Sequence, residues 1–140
     1  MKRYEFVPHT GEAKFRAYGG TLGEAFGNAA LALASLMYDT DAVGDEEPRK
    51  VRVGGRDLQR LLLGFLEEVL FLAETGAFLT AGFDSVEIVE SAEGYSLAAE
   101  LRGTSSSEDC DFHGEVKAIT YSEMKVEQGE SPFVQVVVDV

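Results

Sequence analysis

Phe133-Val134-Gln135-Val136-Val137-Val138, closing on Asp139 and Val140, is a nearly unbroken apolar run. It reads as a buried strand, because a half-solvated strand alternates apolar and polar residues. Chain ends normally fray into polar residues. Here the run stays apolar to its last residue, so the terminus is expected to be docked. Two anionic groups then sit side by side, the Asp139 carboxylate and the α-carboxylate of Val140. They need a partner, either a hard cation or basic groups on another protein.

A buried strand needs neighbours, and the sequence offers several. Gln128-Gly129 is a turn signal, and residues 115–126 before it are a long strand candidate that would pair back on the terminal run. Within that segment Val116, Ala118 and Thr120 share one face, and Lys117, Ile119 and Tyr121 the other. Further upstream, Val86 and Ile88 alternate with polar residues. Glu93-Gly94 turns the chain, and Tyr95, Leu97, Ala99 and Leu101 alternate again, which is a hairpin signal. At the other end of the chain, residues 2–7 and 13–18 form two more alternating strands, joined by the turn-forming segment Pro8-His9-Thr10-Gly11-Glu12.

Two helices complete the set. Thr21 and Glu24 have capping-box spacing, and Leu22, Phe26, Ala29, Leu33, Leu36 and Met37 recur at helical intervals, predicting a helix over residues 22–37. Asp57 is placed to cap a second helix over residues 58–75. Apolar residues cover most of that helix's circumference, so a central position is expected for it. Gly64 in its middle suggests close approach of a neighbour. A short strand over residues 49–54 separates the helices. The order ββα-β-α-ββββ gives an α+β class, with two helices packed on antiparallel or mixed β-sheet in a single domain over residues 1–140.

Composition narrows the function. Twelve Lys and Arg against 25 Asp and Glu give a formal net charge of −13. Such a balance argues against direct nucleic-acid binding, which needs clustered cations, and favours solubility, cations or a basic protein partner. One cysteine, Cys110, forbids an internal disulfide and points to a reducing, cytoplasmic setting. Residues 1–5 lack the apolar core of a secretory signal. The longest apolar stretch, residues 58–73, carries Arg60, Glu67 and Glu68 and is too short and too charged for a bilayer.

Candidate chemistry is concentrated at the two ends of the chain. If the second and last strands are neighbours, Glu12, Asp139 and the Val140 carboxylate form an all-oxygen cluster suited to Ca²⁺, Mg²⁺ or Mn²⁺ rather than zinc. Otherwise both are solvated surface acids. His9 is a metal ligand or, by preference, a structural histidine bonded to a loop carbonyl. Lys117 either pairs with a carboxylate at the sheet rim or contacts a partner, and pairing is preferred. Cys110 near His113 has the composition of a nucleophile pair, but no cation near in sequence would lower the thiol pKa, so a bystander thiol is expected. Asp109 and Asp111 read as a solvated loop rather than a second metal site. No Walker loop, dinucleotide turn, HExxH or GxSxG is present.

Several of these segments together resemble the archease family. His9-Thr10-Gly11-Glu12, Arg16-Ala17-Tyr18-Gly19 and Thr21-Leu22-Gly23-Glu24-Ala25-Phe26 are similar to its N-terminal signature, and Asp57-Leu58-Gln59-Arg60-Leu61-Leu62 to the opening of its second helix. Glu115-Val116-Lys117-Ala118-Ile119-Thr120-Tyr121 matches its late motif, and Val138-Asp139-Val140 its ending. The resemblance implies a non-catalytic activator of the tRNA-splicing RNA ligase. That enzyme joins 2′,3′-cyclic-phosphate or 3′-phosphate ends to 5′-hydroxyl ends and is guanylylated on a histidine. Such activators promote guanylylation and multiple turnover. The resemblance also implies a divalent cation, Ca²⁺ foremost, on Glu12, Asp139 and Val140. The family usually has Asp where this chain has Glu12, and the extra methylene moves the carboxylate outward by about one bond length. Two other classes compete with this reading. One is a metal-dependent phosphoester hydrolase using the same cation as Lewis acid, and the other a general chaperone-like adaptor for RNA-modifying enzymes.

Overall fold

The structure, a computed structural model, describes residues 2–105 and 110–140. Seven strands and two helices follow one another as β1 (Tyr4–Val7), β2 (Ala13–Tyr18), α1 (Leu22–Ser35), β3 (Glu47–Gly55), α2 (Leu58–Glu74), β4 (Leu79–Ser91), β5 (Gly94–Thr104), β6 (Ala118–Glu127) and β7 (Phe133–Asp139). The strands form two sheets, ordered β1-β2-β7-β6 and β3-β5-β4. All pairings are antiparallel, in keeping with the expected α+β class.

Both helices lie between the sheets. α1 packs on β2 and β7 on one side and on β4 on the other, while α2 touches β3, β4 and β5 as well as β6. The sequence explains why α1 can be enclosed. Its residues 23–34 are mostly Gly and Ala, and all of them except Glu24 are buried. A Cβ on Gly23 would collide with the Val86 carbonyl oxygen of β4, and one on Gly27 with the Phe83 ring. Small residues thus let the helix lie flush against a strand. Thr21 accepts a hydrogen bond from the Glu24 amide at 3.1 Å, and Asp57 accepts one from the Arg60 amide at 2.8 Å, so both helix starts carry the caps expected of them.

One local expectation holds and two are corrected. As expected, α2 lies between layers of both sheets, though it is less enclosed than α1 and leaves Gln59, Arg60, Glu67 and Phe71 exposed, Phe71 by 59%. Its apolar content exceeds its buried face. Gly64 opens to space with nothing within 4 Å of an added Cβ, so it admits no close neighbour. In β6 the inward side chains are Val116, ahead of the strand, and Ile119, while Tyr121 is 51% exposed. A single alternation therefore does not run through the segment. Two causes act. Residues 115–117 lie ahead of the strand and do not share its alternation. Beyond Thr120 a bulge intervenes, since Thr120 faces Val137 but Lys125 faces Gln135 and residues 121–124 stand opposite Val136 alone. Glu123 within it adopts a positive φ of 54°.

Candidate functional site

The terminal run is a central strand, and its neighbour on one side is β2. Their register runs from Tyr18↔Phe133 to Ala13↔Val138. Glu12 and Asp139 are the next facing positions, one step beyond the last of these pairs. On the other side Ala118 pairs with Asp139, and the Lys117 amide donates to the Asp139 carbonyl at 2.7 Å. Glu12, Lys117, Asp139 and Val140, drawn from three distant parts of the sequence, therefore meet at one end of one sheet.

The side chains there divide into two groups. Asp139 is half-buried, and its carboxylate makes no hydrogen bond or ion pair among the described residues; Val140 beside it is 48% exposed. Lys117 is exposed and likewise forms no ion pair among the described residues, so the rim pairing expected for it is not observed. Glu12 is engaged. Its Oε1 lies 3.2 Å from Nε2 of His9, which is also 3.6 Å from Oε2 of Glu123. The partners of His9 are thus carboxylates rather than a loop carbonyl.

Glu123 connects this pair to the face of the sheet. Its Oε1 takes the Lys14 ammonium at 3.0 Å, and that contact, foremost, holds its carboxyl below the usual range. Its backbone carbonyl accepts from Nε2 of Gln135 at 2.7 Å, and Oε1 of Gln135 accepts from Nε of Arg16 at 2.9 Å. Gln135, almost fully buried, is the lone polar residue of the apolar run. The β1–β2 turn and the β6 bulge are thus tied together over β2 and β7. Sequence reading missed Lys14, Arg16, Glu123 and Gln135. Only Gln135, a polar interruption in a buried strand, carried a signal, since buried amides require partners.

The donors at the tip suit a hard cation in kind. Asp139 offers an unpartnered carboxylate and Val140 a second, and all ligands would be oxygen. Glu12 would have to be shared with His9. No group of three or more His, Cys, Asp or Glu side chains converges as a metal site among the described residues. Elsewhere, burial and then the carboxylates of Asp111 and Asp39 push the Cys110 thiol pKa up, the reverse of nucleophile activation. Asp111 is exposed, and Asp109 lies outside the described residues.

Comparison with known proteins now decides the family. A model described as the Archease protein family (MTH1598/TM1083) matches residues 4–140. The chain belongs to the archease family. The protein archease of Methanosarcina acetivorans is 39% identical over 141 residues, covering 99% of this chain and 97% of that protein. The solution structure of Methanobacterium thermoautotrophicum protein 1598 superposes with a TM-score of 0.82 at 33% identity, covering all of both chains. A crystal structure from Thermotoga maritima, described as an archease and possible chaperone, shares the fold, with a TM-score of 0.59 at 16% identity over 96% of this chain and 94% of that one. No helix among the described residues is long and apolar enough to cross a membrane.

Proposed function

We propose that this archease is a non-catalytic activator of the tRNA-splicing RNA ligase, acting in the cytoplasm to promote guanylylation and multiple turnover. One observation carries the reading. The residues of the early, late and terminal family motifs, Glu12, Lys117 and Asp139-Val140, converge at a single end of the sheet through the pairing of β2, β7 and β6. A chain that brings these motifs to one exposed tip is organised to present a surface rather than to perform covalent chemistry.

In this proposal the tip is the active element. Glu12, Asp139 and the Val140 carboxylate hold a divalent cation, Ca²⁺ foremost, which offsets their charge and offers a hard Lewis acid at the surface. His9 orients Glu12. Lys117, fixed through its amide to the Asp139 carbonyl, brings an ammonium that is unpaired among the described residues to the same end of the sheet. Such a tip suits a ligase active site built to hold the phosphates of RNA and GTP, because it brings cationic groups on an acidic body. The extra methylene of Glu12 sets its carboxylate farther out than the usual Asp of the family would.

A reconstituted ligation assay at limiting ligase tests this. Adding the wild-type chain is expected to convert single-turnover ligation into multiple turnover, and Asp139→Ala to lose at least tenfold of that stimulation while keeping the wild-type thermal midpoint. Undiminished stimulation by a folded Asp139→Ala would remove the tip from the function. Phosphate release by the isolated protein would favour a hydrolase instead.

A further inference from the structure

The cations of this acidic chain are not evenly spread. Five of its 12 Lys and Arg lie within residues 49–60, against the single acid Asp57. Arg49, Lys50 and Arg52 stand on β3, and Arg56 and Arg60 follow in the turn and first turn of α2. All five are exposed. Arg60 pairs with Asp57 at 3.4 Å, and Arg49 sits 6.0 Å from the ring centre of Phe78. The side chains of Lys50, Arg52 and Arg56 make no hydrogen bond or ion pair among the described residues, even though Glu100 is the cross-strand neighbour of Lys50.

β3 is also an edge strand. It pairs only with β5, through nine consecutive residue pairs without a register shift. The other three edges are blunted. β1 has four residues, β4 carries two register shifts, and β6 is interrupted by its bulge. Among the described residues, no backbone hydrogen bond outside the β5 pairing reaches β3. Beyond Pro48, which has no amide to offer, this long and regular edge presents free backbone groups as a template for another strand. Its cations guard it against a second copy of the chain but not against an acidic strand.

We propose that the free edge of β3 receives an acidic extended segment of another protein, which adds to the sheet as a fourth strand. Backbone hydrogen bonds supply the attachment. Lys50 and Arg52 on one face, Arg49 on the other and Arg56 at the end select for carboxylates. Side chains two apart on a strand are about 6.8 Å apart, so acids at every second position of the incoming segment meet Lys50 and Arg52 in turn. A second copy of this chain cannot add β3 to β3, because that would place cation against cation. A phosphate backbone fits less well, since Glu87 and Glu100 occupy the same sheet face and no aromatic side chain lies there for a base to stack on.

The test uses a capped eight-residue peptide of alternating valine and glutamate, a neutral valine–serine peptide and an oligouridylate of matched charge. The acidic peptide is expected to bind at low salt and to slow amide hydrogen exchange in residues 49–55 selectively. Binding is expected to weaken at least tenfold in a Lys50→Glu, Arg52→Glu double variant whose thermal midpoint is unchanged. The proposal is overturned by no binding of the acidic peptide, by binding without protection in β3, or by equal binding of the neutral peptide. Tighter binding of the oligouridylate overturns it as well and assigns the strip to a phosphate backbone.

Discussion

The side-chain amide of Gln135 holds the carbonyl of Glu123 at 2.7 Å, and Glu123 is the one non-glycine residue with positive φ among those described. A left-handed residue of this kind costs about 1–2 kcal/mol and persists only where its surroundings fix it. Gln135 fixes the backbone and Lys14 the side chain. The bulge of β6, and with it the cover over β2 and β7, rests on these two contacts.

Replacing Gln135 with leucine keeps the volume and removes both hydrogen bonds. The Gln135→Leu variant is expected to lose about 1–2 kcal/mol, the range for a broken bond at a partly buried group. Amide exchange in residues 121–124 should quicken as the bulge loosens. An unchanged urea midpoint together with unchanged exchange would show that Gln135 does not hold it.

The Lys14–Glu123 contact makes a pH prediction. Lys14 depresses the Glu123 carboxyl, with smaller help from His9 and Lys125. The folded pKa therefore lies below the unfolded one. The stability contributed is present above the ordinary glutamate value, about 4.3, and is lost as pH falls through the lower folded value. Wild type and Lys14→Met should differ in stability at pH 6–8 and converge in acid below that window. A gap that persists unchanged into strong acid would assign the effect to packing.

Two glycines give opposite signs. Gly64 has open space around its missing side chain, so Gly64→Ala is expected to stabilise by about 1 kcal/mol from helix propensity alone. Gly23 lies against the Val86 carbonyl, and Gly23→Ala should destabilise by about 1–3 kcal/mol by forcing the helix off β4. Thermal or chemical denaturation of the pair checks both. A destabilised Gly64→Ala would mean that α2 has a neighbour at that face.

Calorimetry with Ca²⁺ tests the terminus. Extending the chain past Val140 turns its carboxylate into an amide and removes one charged oxygen ligand. Affinity is expected to fall at least tenfold in the tailed protein. Equal affinities with and without the tail would exclude Val140 as a ligand.

Much of this was legible in the sequence, for physical reasons that differ by element. Helix starts at Thr21 and Asp57 were readable because capping is local. The burial of residues 133–138 followed from unbroken apolarity, and the hairpins from their turns. What escaped depends on long-range pairing. Nothing in residues 121–124 announces a bulge, because the extra residues exist only relative to β7. The His9–Glu12 contact is local and could be suspected, but Glu123 joins it from more than a hundred residues away. The central place of α2 was readable from its apolar content, but that α1 is the more fully enclosed helix was not, because close enclosure depends on the small side chains of its Gly and Ala residues.

The adjacency of β2 and β7 has a temporal side. β2 ends at Tyr18 and its partner begins at Phe133. At ordinary translation rates the early strand waits on the order of ten seconds before its partner emerges. Until then its inner edge is open and the tip has only one wall. A chain cut short before Phe133 lacks β7, and with it the pairing that brings Asp139 beside Glu12.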